Sequence, residues 1–163
     1  MLHPRPPGGD FMRKAERSAD KLRRLPSSKK QFERACEQGR RRLELLRRGD
    51  RTAFEGAGPL ELVGVYILFH VHVYKVPPAE LQQGAAMAAA CSAVRRLLRD
   101  VFANDPLQVL EFVRWTWQRE ARAEKRRAGD ATAGFRIGWR LQFAHAGLLT
   151  DYRVAMQRMQ QAR

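Results

Sequence analysis

The residues best suited to do chemistry in this chain are its cations. Arg119, Arg122, Lys125, Arg126 and Arg127 fall close together, and Arg136 and Arg140 follow shortly after. A guanidinium presents a planar fork of N–H donors to a phosphate or carboxylate, and an ammonium adds a point charge. Such a cluster can neutralise a polyanion, with phosphate contacts giving affinity and little sequence preference. The simpler reading is a solvated basic helix end that complements the helix dipole. The rest of the chain has the same sign: 31 Lys and Arg against 17 Asp and Glu give a net charge of +14 over 163 residues. Residues 1–58 carry 16 basic and 8 acidic side chains, and residues 59–163 carry 15 and 9, so neither part is neutral. This balance points to nucleic acid, an acidic protein face or an anionic membrane as partner. Arginine far outnumbers lysine, which suits forked phosphate contacts and equally suits a GC-rich coding sequence.

Other chemistries have less to stand on. His70-x-His72, with His145 as a distant third ligand, fits a metal only on a strand, because residues two apart on a helix point in different directions. No clustered Asp, Glu or Cys completes a shell, so neither metal nor cofactor is expected. Cys36 and Cys91 are far apart with no Cys-x-x-Cys; they read as buried thiols in a reducing cytosol. Neither has a neighbouring His and acid to activate it. Gly8-Gly9 and Gly56-x-Gly58 lack the spacing of a phosphate-binding loop. Asp151-Tyr152-Arg153 contains a tyrosine but no Arg/His constellation around it, and reads as a capping turn with an aromatic anchor. The sequence therefore points away from an enzyme.

The cations need elements to position them. Asp105-Pro106 predicts a helix start, the carboxylate capping and the proline occupying a first-turn position. Leu110, Val113 and Trp117 then recur at helical spacing, widened by Val109 and Trp115, and Gly129 marks the end. The first half of this helix is built for burial. Its second half, from Arg119 onward, is expected to project into solvent.

Before it, Ala85 to Phe102 is a second helix with Met87, Ala90/Cys91, Val94, Leu97/Leu98 and Val101 inward and Arg95, Arg96 and Arg99 outward. The two are expected to form an antiparallel hairpin. Leu60 to Tyr74 is ambiguous: Val63, Val65, Ile67, Phe69, Val71 and Val73 alternate as a strand would. Length, Pro59 and Glu61 favour a buried helix ended by Val76-Pro77-Pro78. The run is short and polar for a membrane span, with Glu61, His70, His72 and Lys75 in or beside it. Gly56-Ala57-Gly58-Pro59 is the clearest boundary. Before it, residues 27–48 read as a helix weakened by Gly39, residues 11–25 as a weakly patterned one, and residues 1–10 as a Pro/Gly-rich segment without the apolar core of a signal peptide.

After Gly129 the period changes. Phe135, Ile137, Trp139, Leu141 and Phe143 alternate with polar or small residues, predicting a strand. His145-Ala146-Gly147 would turn it into a β-hairpin over residues 135–154; alternatively, Thr150-Asp151 caps a closing helix through Met156 and Met159. A helix followed by a basic hairpin resembles the element order of a winged helix. Trp115, Trp117 and Trp139 could stack on bases, but two of them sit in apolar stripes and read as core.

Three segments together, Leu68-x-His70-x-x-x-Tyr74-x-x-x-Pro78-x-Glu80-Leu81, Val113-Arg114-Trp115-Thr116-Trp117-x-Arg119-Glu120 and Trp139-Arg140-x-Gln142-Phe143, resemble small basic proteins of tailed phages and prophages. The resemblance covers residues 60–155. It implies a mobile-element origin and tilts the partner toward DNA; no activity or catalytic residue comes with it.

The expectation is thus a mainly α protein: a basic helical N-terminal extension, 1–58, and a helical domain, 59–163, with a small winged-helix-like β-hairpin. The expected function is non-catalytic nucleic-acid binding in the cytoplasm, DNA favoured, through Arg119, Arg122, Lys125, Arg126, Arg127, Arg136 and Arg140. An adaptor docking its basic surface on an acidic protein is the alternative. Membrane binding is not expected, because the basic helices lack a large aromatic or leucine face.

Overall fold

The run after Gly58 is a helix, and it is buried on nearly every side. In the computed structural model, residues 28–127 and 137–163 are described. Their elements are α1 (Ser28–Arg47), α2 (Pro59–Tyr74), a 3₁₀ turn (Ala79–Gln82), α3 (Gly84–Asp100), α4 (Pro106–Arg127), α5 (Trp139–Ala144) and α6 (Ala146–Gln161). α2 has Pro59 in its first turn, Glu61 behind it and a left-handed Lys75 closing it at φ 64°. Leu62, Val63, Val65, Tyr66 and Ile67 are each 0–1 % exposed. A helix packed on several faces loses its amphipathic stripe. That is why its valines could alternate like a strand.

The other elements surround α2. α1 packs chiefly on it, and α3 and α4 each contact α2 more than they contact each other. The expected α3–α4 hairpin is therefore a pair splayed around a shared partner. Their connection is tight: Ala103 and Asn104 adopt left-handed φ of 50° and 60°. Asp105 then caps α4, its Oδ1 accepting from the Leu107 N–H at 3.0 Å.

α1 meets α2 through small residues. Ala35 is fully buried, and a Cβ placed on Gly39 would lie 2.8 Å from the backbone of Gly64 and Val65. Gly39 was expected to weaken its helix; here it also permits the crossing. The segment after α1 joins the same core, with Ala53, Phe54 and Ala57 buried. Arg42 ties the pieces together. Its guanidinium pairs with Glu61 of α2 and donates to the Ala53 carbonyl at 3.0 Å and the Glu55 carbonyl at 2.6 Å. The expected boundary at Gly56–Pro59 thus falls between two helices that share one core.

Arg42→Met keeps the aliphatic stem but leaves Glu61 and two carbonyls without their donor. We expect a loss of about 2 kcal/mol in urea melts, the range for hydrogen bonds to charged groups. Arg41→Met, on the exposed face of the same helix, should change stability by no more than about 0.5 kcal/mol.

The C-terminal β-hairpin is not present. Residues 139–144 and 146–161 are helical, and no strand occurs among the described residues. The inward face of α5 is Trp139, Gln142 and Phe143, a helical i, i+3, i+4 set. Gln142 disguised it: a polar residue on the buried side made the flanking apolar residues look alternate. Its Nε2 reaches Thr116 Oγ1 at 3.3 Å. Of the expected turn His145-Ala146-Gly147, only His145 lies between the helices; it caps α6, its Nδ1 accepting from the Gly147 N–H at 3.1 Å. The alternative closing helix was the correct reading, although it starts at Ala146, with Thr150 inside it and bonded to the Ala146 carbonyl. Without a hairpin the winged-helix analogy has no wing. Phe135 and Arg136 lie outside the described residues.

Candidate nucleic-acid interface

α4 carries its polar half on two faces with different fates. The inward face continues the apolar stripe: Val109, Leu110, Phe112, Val113, Thr116 and Trp117 are buried. One, two and nearly three turns further on come Glu120, Glu124 and Arg127. Tyr74 donates its hydroxyl hydrogen to Glu120 Oε1 at 2.7 Å. Arg127 pairs with the same carboxylate and lies 3.7 Å from Glu124. The Arg127 side chain is 21 % exposed and that of Glu120 is 11 %. Removing either would strand the other in a partly buried place. Arg127 therefore acts as part of the fold, where a solvent-projecting cation was expected.

The same tyrosine holds Ile137, just ahead of α5. The Ile137 N–H donates to Tyr74 Oη at 2.8 Å, and Tyr66 donates to the Ile137 carbonyl at 3.0 Å. Burial pushes both phenols well above their ordinary value of about 10. They stay neutral at physiological pH, which both donations require. The two rings pack with Trp117 at centroid distances of 5.6 and 5.3 Å.

The outward face of α4 is the binding candidate. Arg119, Arg122 and Arg126 stand at i, i+3 and i+7, a spacing that aligns side chains along a helix. Together they line one cleft of about 400 Å³. Thr116, Ile137, Leu141 and Leu148 also line it, Glu120 and Ala123 stand on the α4 side, and Asp151 of α6 completes it. Arg119 also stacks on Trp115, its guanidinium carbon 4.5 Å from the ring centroid. Arg122 and Arg126 are exposed and make no hydrogen bond or ion pair among the described residues. Their charge is uncommitted.

The remaining cations separate from this group. Lys125 is exposed but not a lining residue of the cleft; its spacing aligns it with Gln118 and Arg114. Arg140 is over Trp139 at 4.7 Å and pairs with Glu80 at 2.5 Å. That pair is 68 % and 45 % exposed, so it is weak and exchangeable. Arg136 lies outside the described residues. Sequence reasoning did not find Thr116, Leu141, Leu148 or Asp151 as cleft residues. The signal for Asp151 and Leu148 was the closing-helix alternative, which puts them three apart on one face.

His70 and His72 diverge as helical spacing dictates. His70 is buried, its Nδ1 2.8 Å from the Val76 carbonyl oxygen, and His72 is exposed. No group of three or more His, Cys, Asp or Glu suited to a metal occurs among the described residues. Cys36 and Cys91 are free, half-buried thiols, and burial pushes both up. No helix of the described residues is long and apolar enough to cross a membrane. Comparison with protein-family models, with characterised proteins and with solved structures returns no match for this chain.

Proposed function

We propose that the protein binds nucleic acid without catalysis, through phosphate contacts from the Arg119, Arg122 and Arg126 stripe. One observation carries this reading: three arginines of one helix line a single cleft, and two of them have no partner within the described structure. The overall charge of +14 supplies a long-range attraction toward a polyanion. Lys125 and Arg140 add cations at the margins, while Arg127 is spent on Glu120. DNA is the favoured polymer and a phage or prophage the favoured setting, both on the resemblance of residues 60–155. An acidic protein would satisfy the same charges and is the outcome to exclude.

Three phosphates neutralised by the stripe give log K a slope against log salt of about −3 on duplex DNA and about −2 on single strands. Fluorescence anisotropy at several salt concentrations measures this directly. Replacing Arg119, Arg122 and Arg126 together by Glu should abolish binding and leave the melting curve in place, because all three are exposed. If the full chain binds neither duplex, single strand nor RNA at low salt, the acidic-partner reading replaces this one.

A further inference from the structure

We infer that the arginine-lined cleft takes a single unpaired nucleotide of a polynucleotide strand, guanine by preference, with its phosphates on the stripe and its base inside. The inference rests on the nucleic-acid reading above and specifies what that site reads.

Three features of the cleft are superfluous for backbone binding alone. The first is its shape. A volume of about 400 Å³ falls in the range of small-ligand sites, roughly 300–1,000 Å³. A duplex meets a protein with a convex surface, and its bases are stacked inside it. It would touch the arginines on the rim and leave the cleft empty. An unstacked base can enter, as bases of single strands do when proteins read them.

The second feature is the wall chemistry. Ile137, Leu141 and Leu148 give aliphatic surface, which phosphate does not seek. A base has two apolar faces, and guanidinium planes such as those of Arg119, Arg122 and Arg126 stack on them as readily as they pair with phosphate. The stripe spans seven residues, about 10 Å of helix. That length suits a nucleotide with its flanking phosphates.

The third feature is Asp151. A carboxylate repels phosphate, yet it stands in the same cleft as three arginines and makes no ion pair with them. Its chemistry calls for N–H donors. Guanine alone among the bases offers two adjacent donors, N1–H and N2–H, with no acceptor between them, and these match the two oxygens of a carboxylate. Glu120, the other acid at the cleft, is committed to Tyr74 and Arg127.

The test uses the full chain and labelled 12-mers: all-thymine DNA, alternating thymine–guanine DNA, its RNA counterpart and a 12-base-pair duplex. The guanine-containing strand, as DNA or RNA, should bind about tenfold more tightly than both the all-thymine strand and the duplex, the low end of what one bidentate base contact discriminates. Asp151→Asn should erase the advantage over thymine without weakening all-thymine binding. Ala123→Leu narrows the cleft where the base would sit and should erase the advantage over duplex while duplex affinity holds; Ala123→Met does the same with a more adaptable side chain if the first variant melts early. Duplex binding as tight as the guanine strand overturns the inference and leaves the proposed function standing. Equal binding of the two DNA strands overturns the base reading. Free guanosine monophosphate competing at the concentration of the 12-mer overturns the polymer and makes the cleft a mononucleotide site. No binding of any strand or duplex removes the proposed function itself.

Discussion

Gly64→Ala should cost the fold roughly 3 kcal/mol, one of the largest effects of any single methyl group in this protein. The Cβ it adds would lie 1.8 Å from the Ala35 carbonyl oxygen and 2.6 Å from its carbon. Both atoms are helix backbone, so no side chain can swing aside. α1 and α2 must separate by an ångström or more, and that loosens Ala35, Gly39 and Val65 at the crossing together. In a chain of this size such a loss lowers the melting temperature by about 6–12 °C. Gly58→Ala is the control. It has φ of −94° and nothing within 4 Å of a new Cβ, and its stability should stay within about 0.5 kcal/mol. A Gly64→Ala protein that melts with the parent would show that α1 does not dock on α2 as described.

Trp117→Ala should cost more still, about 3–5 kcal/mol. The side chain is 2 % exposed and sits at the meeting point of Tyr66, His70 and Tyr74, with ring centroids 5.6, 5.8 and 5.3 Å away. Its loss removes a large apolar volume and also releases the two tyrosines that hold Ile137. Trp117→Phe separates the two parts of the side chain. The indole N–H is buried with no partner, an arrangement that already costs free energy. Phenylalanine discards that liability while keeping most of the ring. We expect it to destabilise by no more than about 1.5 kcal/mol, measured in the same denaturant titration. A phenylalanine variant as unstable as the alanine one would mean the indole nitrogen has a partner in solution.

The helices with end signals were the legible ones. Asp105-Pro106 and Gly58-Pro59 placed two starts correctly, and the stripes of α3 and α4 marked their inward faces. What the sequence concealed depended on partners distant in the chain. Gly39 has a cost that any helix scale records, but its use appears only when Gly64 is opposite. Gln142 looked like an outward residue because polarity stood in for direction, and Thr116, its partner, lies on another helix. The same limit applied at the candidate site. Arg119 to Arg127 were visible as a run of charge. Which of them remain uncommitted was not, because Glu120 takes Arg127 only through Tyr74, and Asp151 joins the cleft only once α6 is a helix.

The tyrosine knot has a practical consequence for chain engineering. Arg127 and Ile137 are both fastened to it, one through Glu120 and the other by its own N–H. Both residues are thus held at neighbouring points by side chains of other elements. A flexible insert costs only about 0.6 kcal/mol of closure entropy for each doubling of its length. A peptide tag or a small reporter domain whose ends lie close together can therefore be spliced between Arg127 and Ile137 with the helices on either side kept in register.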